Sequence, residues 1–181
     1  MRNLRRTLQF LIFNFAFSVL LCACQPAVLP PGLMVQVQQI TNGRDFEVAG
    51  MVGQPEITER VRLEGIDVPD RAQSPWGEAA RTKLKQILGN QQVLLETDIA
   101  PRDSKGQRLA YAWQGGKLVN EELVAEGYAL AVPHLPNHKY DRRLARAQDR
   151  ARALGLGIWN PQQPMRSTPV EFRNQEGSGK G

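Results

Sequence analysis

Apolar and polar residues alternate through Val35, Val37 and Ile40, and Phe46 and Val48 resume the alternation after Thr41-Asn42-Gly43. A spacing of two marks a half-buried strand, and Asn-Gly between two such runs predicts a hairpin whose turn residues take positive φ. A third strand is predicted over Glu59 to Ile66, after a loop around Gly53 to Pro55. The period then changes. Trp76, Ala80, Leu84, Ile87 and Leu88 recur at helical spacing, with Ser74 as N-cap, Pro75 at the first helical position and Gly89-Asn90 as the stop. Val93-Leu94-Leu95 and Leu109 to Trp113 predict two more strands, and helical spacing returns in Val119 to Glu126 and Tyr140 to Leu154. Three strands, a helix, two strands and then helices fit an α+β fold, a five-stranded Greek-key β-barrel of the OB type with about three α-helices. An unrelated α+β sandwich satisfies the same periodicity.

The ends of the chain have a different character. Arg2, Arg5 and Arg6 precede an apolar run from Leu8 to Leu21, which predicts a secretory signal over residues 1–23. Leu21-Cys22-Ala23-Cys24 resembles a bacterial lipobox, so Cys24 is the expected lipidation site and the mature N-terminus. The chain has two cysteines, and this processing leaves no thiol for a disulfide or for thiolate metal binding. Residues 24–33, with Pro26, Pro30 and Pro31, are expected to be a membrane tether. Gln25 stands where an aspartate retains lipoproteins at the inner membrane, so the expected location is the outer membrane, facing the periplasm or the exterior. Residues 162–181 are polar and close with Gly-Ser-Gly-Lys-Gly, which predicts a disordered tail after a domain at 34–161. The formal charge is +5, but residues 1–23 hold three arginines and no acid, so 20 basic against 18 acidic residues leave +2. That balance carries no case for nucleic-acid binding.

Candidate chemistry starts from Val61-Arg62-Leu63-Glu64-Gly65-Ile66-Asp67-Val68-Pro69-Asp70. Arg62 and Asp67 lie five residues apart across an apolar strand end, and they converge only if the chain turns between Gly65 and Pro69. An arginine and an aspartate brought together in that way can grip a phosphate and a metal ion.

With those residues, the Asn42-Gly43 hairpin, Asp103-Ser104-Lys105-Gly106-Gln107-Arg108-Leu109-Ala110-Tyr111 and the closing Gly157-Ile158-Trp159, the chain resembles the thermonuclease family, the staphylococcal nuclease homologues, from about Val35 to Trp159. The resemblance implies an OB barrel that hydrolyses DNA or RNA with calcium. Carboxylates hold the ion, two arginines neutralise the phosphate in the transition state and a glutamate orients the attacking water. Arg62 falls on the first family arginine and Asp67 on a calcium-binding aspartate. Val68 replaces a threonine that contributes its backbone. The family's Asp-Gly-Asp-Thr is Asn42-Gly43-Arg44-Asp45 here, which puts a guanidinium where the second metal carboxylate belongs and moves Asp45 one residue along. Its Pro-Glu is Pro69-Asp70, and its second arginine is Gln107, with Arg108 displaced by one.

Two function classes follow. In an enzyme of reduced or altered chemistry, Asp45, Asp67 and Asp70 bind a metal, with calcium held weakly, Arg62, Asp70 and Arg108 are catalytic, and Arg44, Arg62 and Gln107 hold the substrate. In a binding module, the barrel is kept without the reaction, and Arg44 and Arg62 form an anion cradle. The expected partners are DNA or RNA and the membrane, for a monomeric protein. Arg142, Arg143, Arg146, Arg150 and Arg152 are expected on a solvated helix face, His134 and His138 in a surface loop, and Trp76, Trp113, Tyr128 and Trp159 in apolar packing. Val132 stands where the family often has a tyrosine beside the substrate.

Overall fold

A computed structural model of the chain describes residues 29–49, 58–89 and 91–178. The signal, Cys24, the first half of the tether and the loop around Gly53 to Pro55 lie outside the described residues.

Strands β1 (Leu33–Ile40), β2 (Asp45–Ala49), β3 (Glu59–Leu63), β5 (Gln92–Glu96) and β6 (Arg108–Gln114) form one sheet in the order β3-β2-β1-β5-β6. A parallel pairing of β3 with β6, Val61 opposite Arg108 and Leu63 opposite Ala110, closes it into a five-stranded barrel. Closure pairs β3 and β6, which would otherwise be the edge strands of this five-stranded sheet. The two-residue strands β4 (Ile66–Asp67) and β8 (Leu130–Ala131) pair beside it, and β7 (Lys117–Leu118) pairs antiparallel with the end of β6, Trp113 opposite Leu118. Among the described residues four α-helices surround the barrel: α1 (Trp76–Leu88), α2 (Val119–Ala125), α3 (Asp141–Ala153) and α4 (Pro169–Ser178).

Burial follows the sequence periods. In β1, Val35 and Val37 point inward, and a register shift between Val37 and Gln39 returns Ile40 to the core despite its odd spacing. Helix α1 buries Gly77, Ala80, Leu84 and Leu88, one stripe at intervals of three and four. Phe46, Val48, Val61, Leu84, Leu88 and Leu123 are fully enclosed in the same core cluster. Ser74 does not cap α1. Pro75 occupies that position and no side chain caps the helix.

The run predicted as a single strand from Glu59 to Ile66 is broken at Glu64-Gly65. Gly65 has φ of 74°, and a Cβ there would lie 2.8 Å from Leu144 Cδ1 of α3. The turn separates β3 from β4 and swings Asp67 round toward Arg62. Asn120 of α2 anchors it, accepting from Ala112 N at 3.0 Å and donating to Glu64 O at 2.8 Å. The buried Glu64 carboxylate accepts from Asn137 Nδ2 at 2.8 Å and from Gly65 N at 2.8 Å.

The polar segment predicted as a disordered tail carries α4. Thr168 N donates to Glu171 Oε2 at 2.7 Å and Glu171 N to Thr168 Oγ1 at 3.3 Å, a reciprocal capping box with Pro169 at the first helical position. The helix is therefore set by its cap, and the near-absence of an apolar face explains why periodicity misses it. Pro169 is its one buried residue.

Candidate functional site

The hairpin before β2 builds one wall of the site. Asn42 Oδ1 accepts from Arg44 N at 2.9 Å and Asp45 N at 2.8 Å, an Asx turn that replaces the expected positive-φ hairpin. Gly43 is not left-handed. It is required because a Cβ there would sit 2.7 Å from Ala80 Cβ of α1. The turn brings both Arg44 and Asp45 to the site, Arg44 by the reach of its side chain and Asp45 by facing Arg62 directly across the β2–β3 pair.

Asp45 is saturated by donors. It receives Arg62 Nε at 2.8 Å and Nη2 at 3.3 Å, Asn42 Nδ2 at 2.8 Å and Gln107 Nε2 at 3.0 Å. Gln107 is delivered by the turn after Asp103, whose Oδ1 accepts from Lys105 N and Gln107 N, both at 2.9 Å. Asp103 Oδ2 lies 3.7 Å from Arg62 Nη1. Burial alone would raise the Asp45 pKa, but the hydrogen bonds from Arg62 and Asn42 and the charges of Arg62 and Arg44 outweigh it and hold the carboxyl below its ordinary range. The bond to Asp45 raises the Arg62 pKa, while burial lowers that of Arg44, and both guanidiniums stay charged.

Asp67 is held by two cations. Arg44 Nη1 lies 2.8 Å from its Oδ1 and Arg173 Nη2 of α4 lies 2.6 Å from its Oδ2. Arg44 Nη1 also donates to Ile66 O at 3.3 Å. The carboxylate side chains of Asp45 and Asp67 are 9% and 5% exposed, whereas those of Arg44, Arg62 and Arg173 are 20%, 32% and 38% exposed. Solvent therefore meets guanidinium, with the acids beneath. Arg44, Arg62, Asp67, Lys105, His134 and Arg173 line a cleft of about 420 Å³ at this place.

Two proposed site residues are elsewhere. Asp70 accepts from Ala72 N at 3.0 Å in the turn before α1 and does not line the cleft. Arg108 donates to Glu59 Oε2 at 2.8 Å in a pair that Arg102 completes at 2.5 Å, so it is committed to the barrel wall. Adjacent residues of a strand face opposite ways, and Gln107 has taken the inward direction. Sequence reasoning missed Arg173; the Thr168-Pro169-Val170-Glu171 cap is the signal that would have extended the domain to it. His134 is a loop residue with a 58% exposed side chain, and its Nδ1 lies 3.4 Å from Glu64 Oε1. Trp113 is half-buried in a polar setting rather than packed in the core, donating from Nε1 to Glu96 Oε2 at 2.7 Å with the Arg143 guanidinium 5.5 Å from its ring centre.

The donor set does not suit calcium. A calcium ion takes six to eight oxygens at about 2.3–2.6 Å. Both oxygens of Asp67 already face guanidiniums, and Asp45 is spent on Arg62, Asn42 and Gln107. Among the described residues, no three His, Cys, Asp or Glu side chains are grouped to hold a metal.

The Asp45–Arg62 pair has a testable consequence. With a depressed folded pKa, Asp45 contributes stability that is present above its unfolded value near 3.8 and lost as the pH falls through the lower folded value. Asp45→Asn should lower stability in urea at pH 7, by less than the roughly 3–5 kcal/mol of a fully buried pair because Arg62 is partly exposed. The difference from the natural chain should shrink below pH 3.8.

Comparison with known proteins places this geometry. The family model described as Staphylococcal nuclease homologue matches residues 60–161. The chain is 42% identical over 106 residues to a thermonuclease of Staphylococcus intermedius, covering 56% of this chain and 63% of that one. It is 31% identical over 153 residues to a thermonuclease of Staphylococcus hyicus, covering 71% and 90%. Endonuclease YncB of Bacillus subtilis (strain 168) is 34% identical over 109 residues, 56% of this chain and 52% of its own. The thermonuclease family is in general calcium-dependent, which makes the arginine-covered carboxylates a departure within it. The barrel, its α+β layout and the match over residues 60–161 establish that the chain belongs to the staphylococcal nuclease homologue family.

Proposed function

We propose that this domain is a nuclease-type protein that recognises the phosphodiester backbone of DNA or RNA in the Arg44–Arg62–Arg173 cleft and hydrolyses it slowly or not at all with calcium. One observation carries the reading: Asp45 and Asp67 are buried beneath the three more exposed guanidiniums. Arginine forks suit phosphate oxygens, and a counterion below each fixes its position before a ligand arrives. Arg62 keeps the family's phosphate position. Asp67 keeps the family's metal position but has two cations on it, and Gln107 supplies no positive charge. Losing one preorganised donor of this kind costs about 10²- to 10³-fold in turnover.

The processing signals support an exported, lipid-anchored form with Cys24 as the anchor. Cys24→Ser should release the protein from the membrane fraction; retention would assign the anchor to an uncleaved signal.

Arg62→Ala should weaken binding of single-stranded DNA about tenfold or more, since a charged hydrogen bond contributes roughly 1.5–3 kcal/mol. Cleavage in calcium by the natural chain should lie well below the 1 to 10³ per second common among enzymes. Arg44→Asp, Asp45→Thr, Asp70→Glu and Gln107→Arg, combined with Arg173→Ala to free Asp67, should raise it by orders of magnitude. Ordinary nuclease rates in the natural chain would overturn the slow-turnover reading, and failure to bind single-stranded nucleic acid would overturn phosphate recognition.

A further inference from the structure

The cleft has a wall that the family match does not include. The match ends at residue 161, yet Val170 and Arg173 of α4 line the cleft, and Arg173 reaches Asp67 across 106 positions of sequence. The approach to α4 is tied to the body where Gln73 Nε2 donates to Ser167 O at 3.0 Å and where Pro169 is buried. Beyond half-buried Phe172 the rest of the helix is largely exposed, and the bond to Asp67 holds the Arg173 side chain at the cleft.

Resting on the phosphodiester reading above, we propose that Arg173 is a tethered cation standing where the family uses a divalent ion, and that it makes phosphate binding in this cleft independent of metal. Asp67 needs positive charge because it is buried. Arg44 supplies it at Oδ1 and Arg173 at Oδ2, so the local sum over these three groups is one positive charge. Each guanidinium carries five N–H donors. Arg173 spends Nη2 on Asp67 and keeps Nε and Nη1 for a ligand, on a side chain 38% exposed at the cleft. Arg62, committed to Asp45 through Nε and Nη2, has Nη1 ion-paired with Asp103 Oδ2 at 3.7 Å, a separation beyond hydrogen-bond length that leaves its N–H donors open to a phosphate oxygen. A phosphate diester entering between them finds donors from β3 and α4 already neutralised from behind by Asp45 and Asp67.

A tethered cation differs from a bound ion in a measurable way. It is covalently part of the chain, and its effective concentration at Asp67 does not depend on the medium. Calcium must displace it to reach the carboxylate. Arg173 and calcium therefore oppose each other, whereas Arg173 and phosphate favour each other. Removing Arg173 should move the two affinities in opposite directions. A helix that merely blocked the cleft would, on removal, raise both.

The experiment uses the full lipid-anchored chain in detergent, as natural protein, Arg173→Ala and Arg173→Lys. Fluorescein-labelled oligothymidylate is titrated by anisotropy in EDTA and in millimolar calcium, and calcium alone is titrated by calorimetry. The natural chain should bind the oligonucleotide equally in both media. Arg173→Ala should bind it about tenfold more weakly and bind calcium at least tenfold more tightly, while Arg173→Lys, which keeps the charge without the planar fork, should fall between. Oligonucleotide binding by the natural chain that needs calcium would overturn the proposal, as would an Arg173→Ala protein that binds the oligonucleotide as well as or better than the natural chain. No oligonucleotide binding by the natural chain in either medium would sink the broader phosphodiester reading. The calcium titration then decides the tethered cation: a gain for Arg173→Ala upholds it and no gain overturns it.

Discussion

Asp45 and Asp67 are withdrawn from water at one end of a closed barrel, and a buried carboxylate persists as an anion only beside a cation that compensates its lost hydration. Much of the arrangement around them follows from that need. Arg62 is fixed opposite Asp45 by the β2–β3 register, Arg44 is brought to Asp67 by the Asx turn at Asn42, and α4 returns from the C-terminal segment to set Arg173 on the remaining oxygen of Asp67. The backbone devices serve the same end. The left-handed Gly65 turns Asp67 toward the barrel mouth, and Gly43 admits α1 closely enough to hold the hairpin.

The same need can be met by a metal or by guanidinium, and the two lead to different chemistry. A divalent ion polarises a phosphate oxygen and lowers the pKa of bound water. Guanidinium orients and neutralises a phosphate without generating a nucleophile. With Arg44 and Arg173 on its two oxygens, Asp67 takes its counter-charges from the chain itself, and the cleft presents guanidinium donors to solvent. Asp70, turned into its own loop by the Ala72 N–H, is not placed to orient water there.

The strands and helices were legible in the sequence because the strands alternate and the helices repeat at three and four, the resemblance to the thermonuclease family chose the barrel over a sandwich, and VRLEGIDVPD pointed to Arg62 and Asp67 in one cleft. The rest depended on contacts that no local pattern carries. Arg108 and Gln107 are adjacent, and only the strand's facing decides that Gln107 reaches Asp45 while Arg108 pairs with Glu59. The strand break at Glu64-Gly65 lies inside a run that alternates as a strand does, and the glycine is the one local sign that the break comes there. Arg173 sits on a helix with almost no apolar face, so composition reads it as tail, although the Thr168–Glu171 capping box was present in the residues.

The most direct test of the central claim is a crystal structure of the protein grown with millimolar calcium and a short oligothymidylate. The account predicts a backbone phosphate hydrogen-bonded by Arg62 and Arg173, with Arg44 and Arg173 still on Asp67 and no metal density at that carboxylate. Calcium ligated by Asp67, with Arg44 and Arg173 swung away from it, would contradict the account.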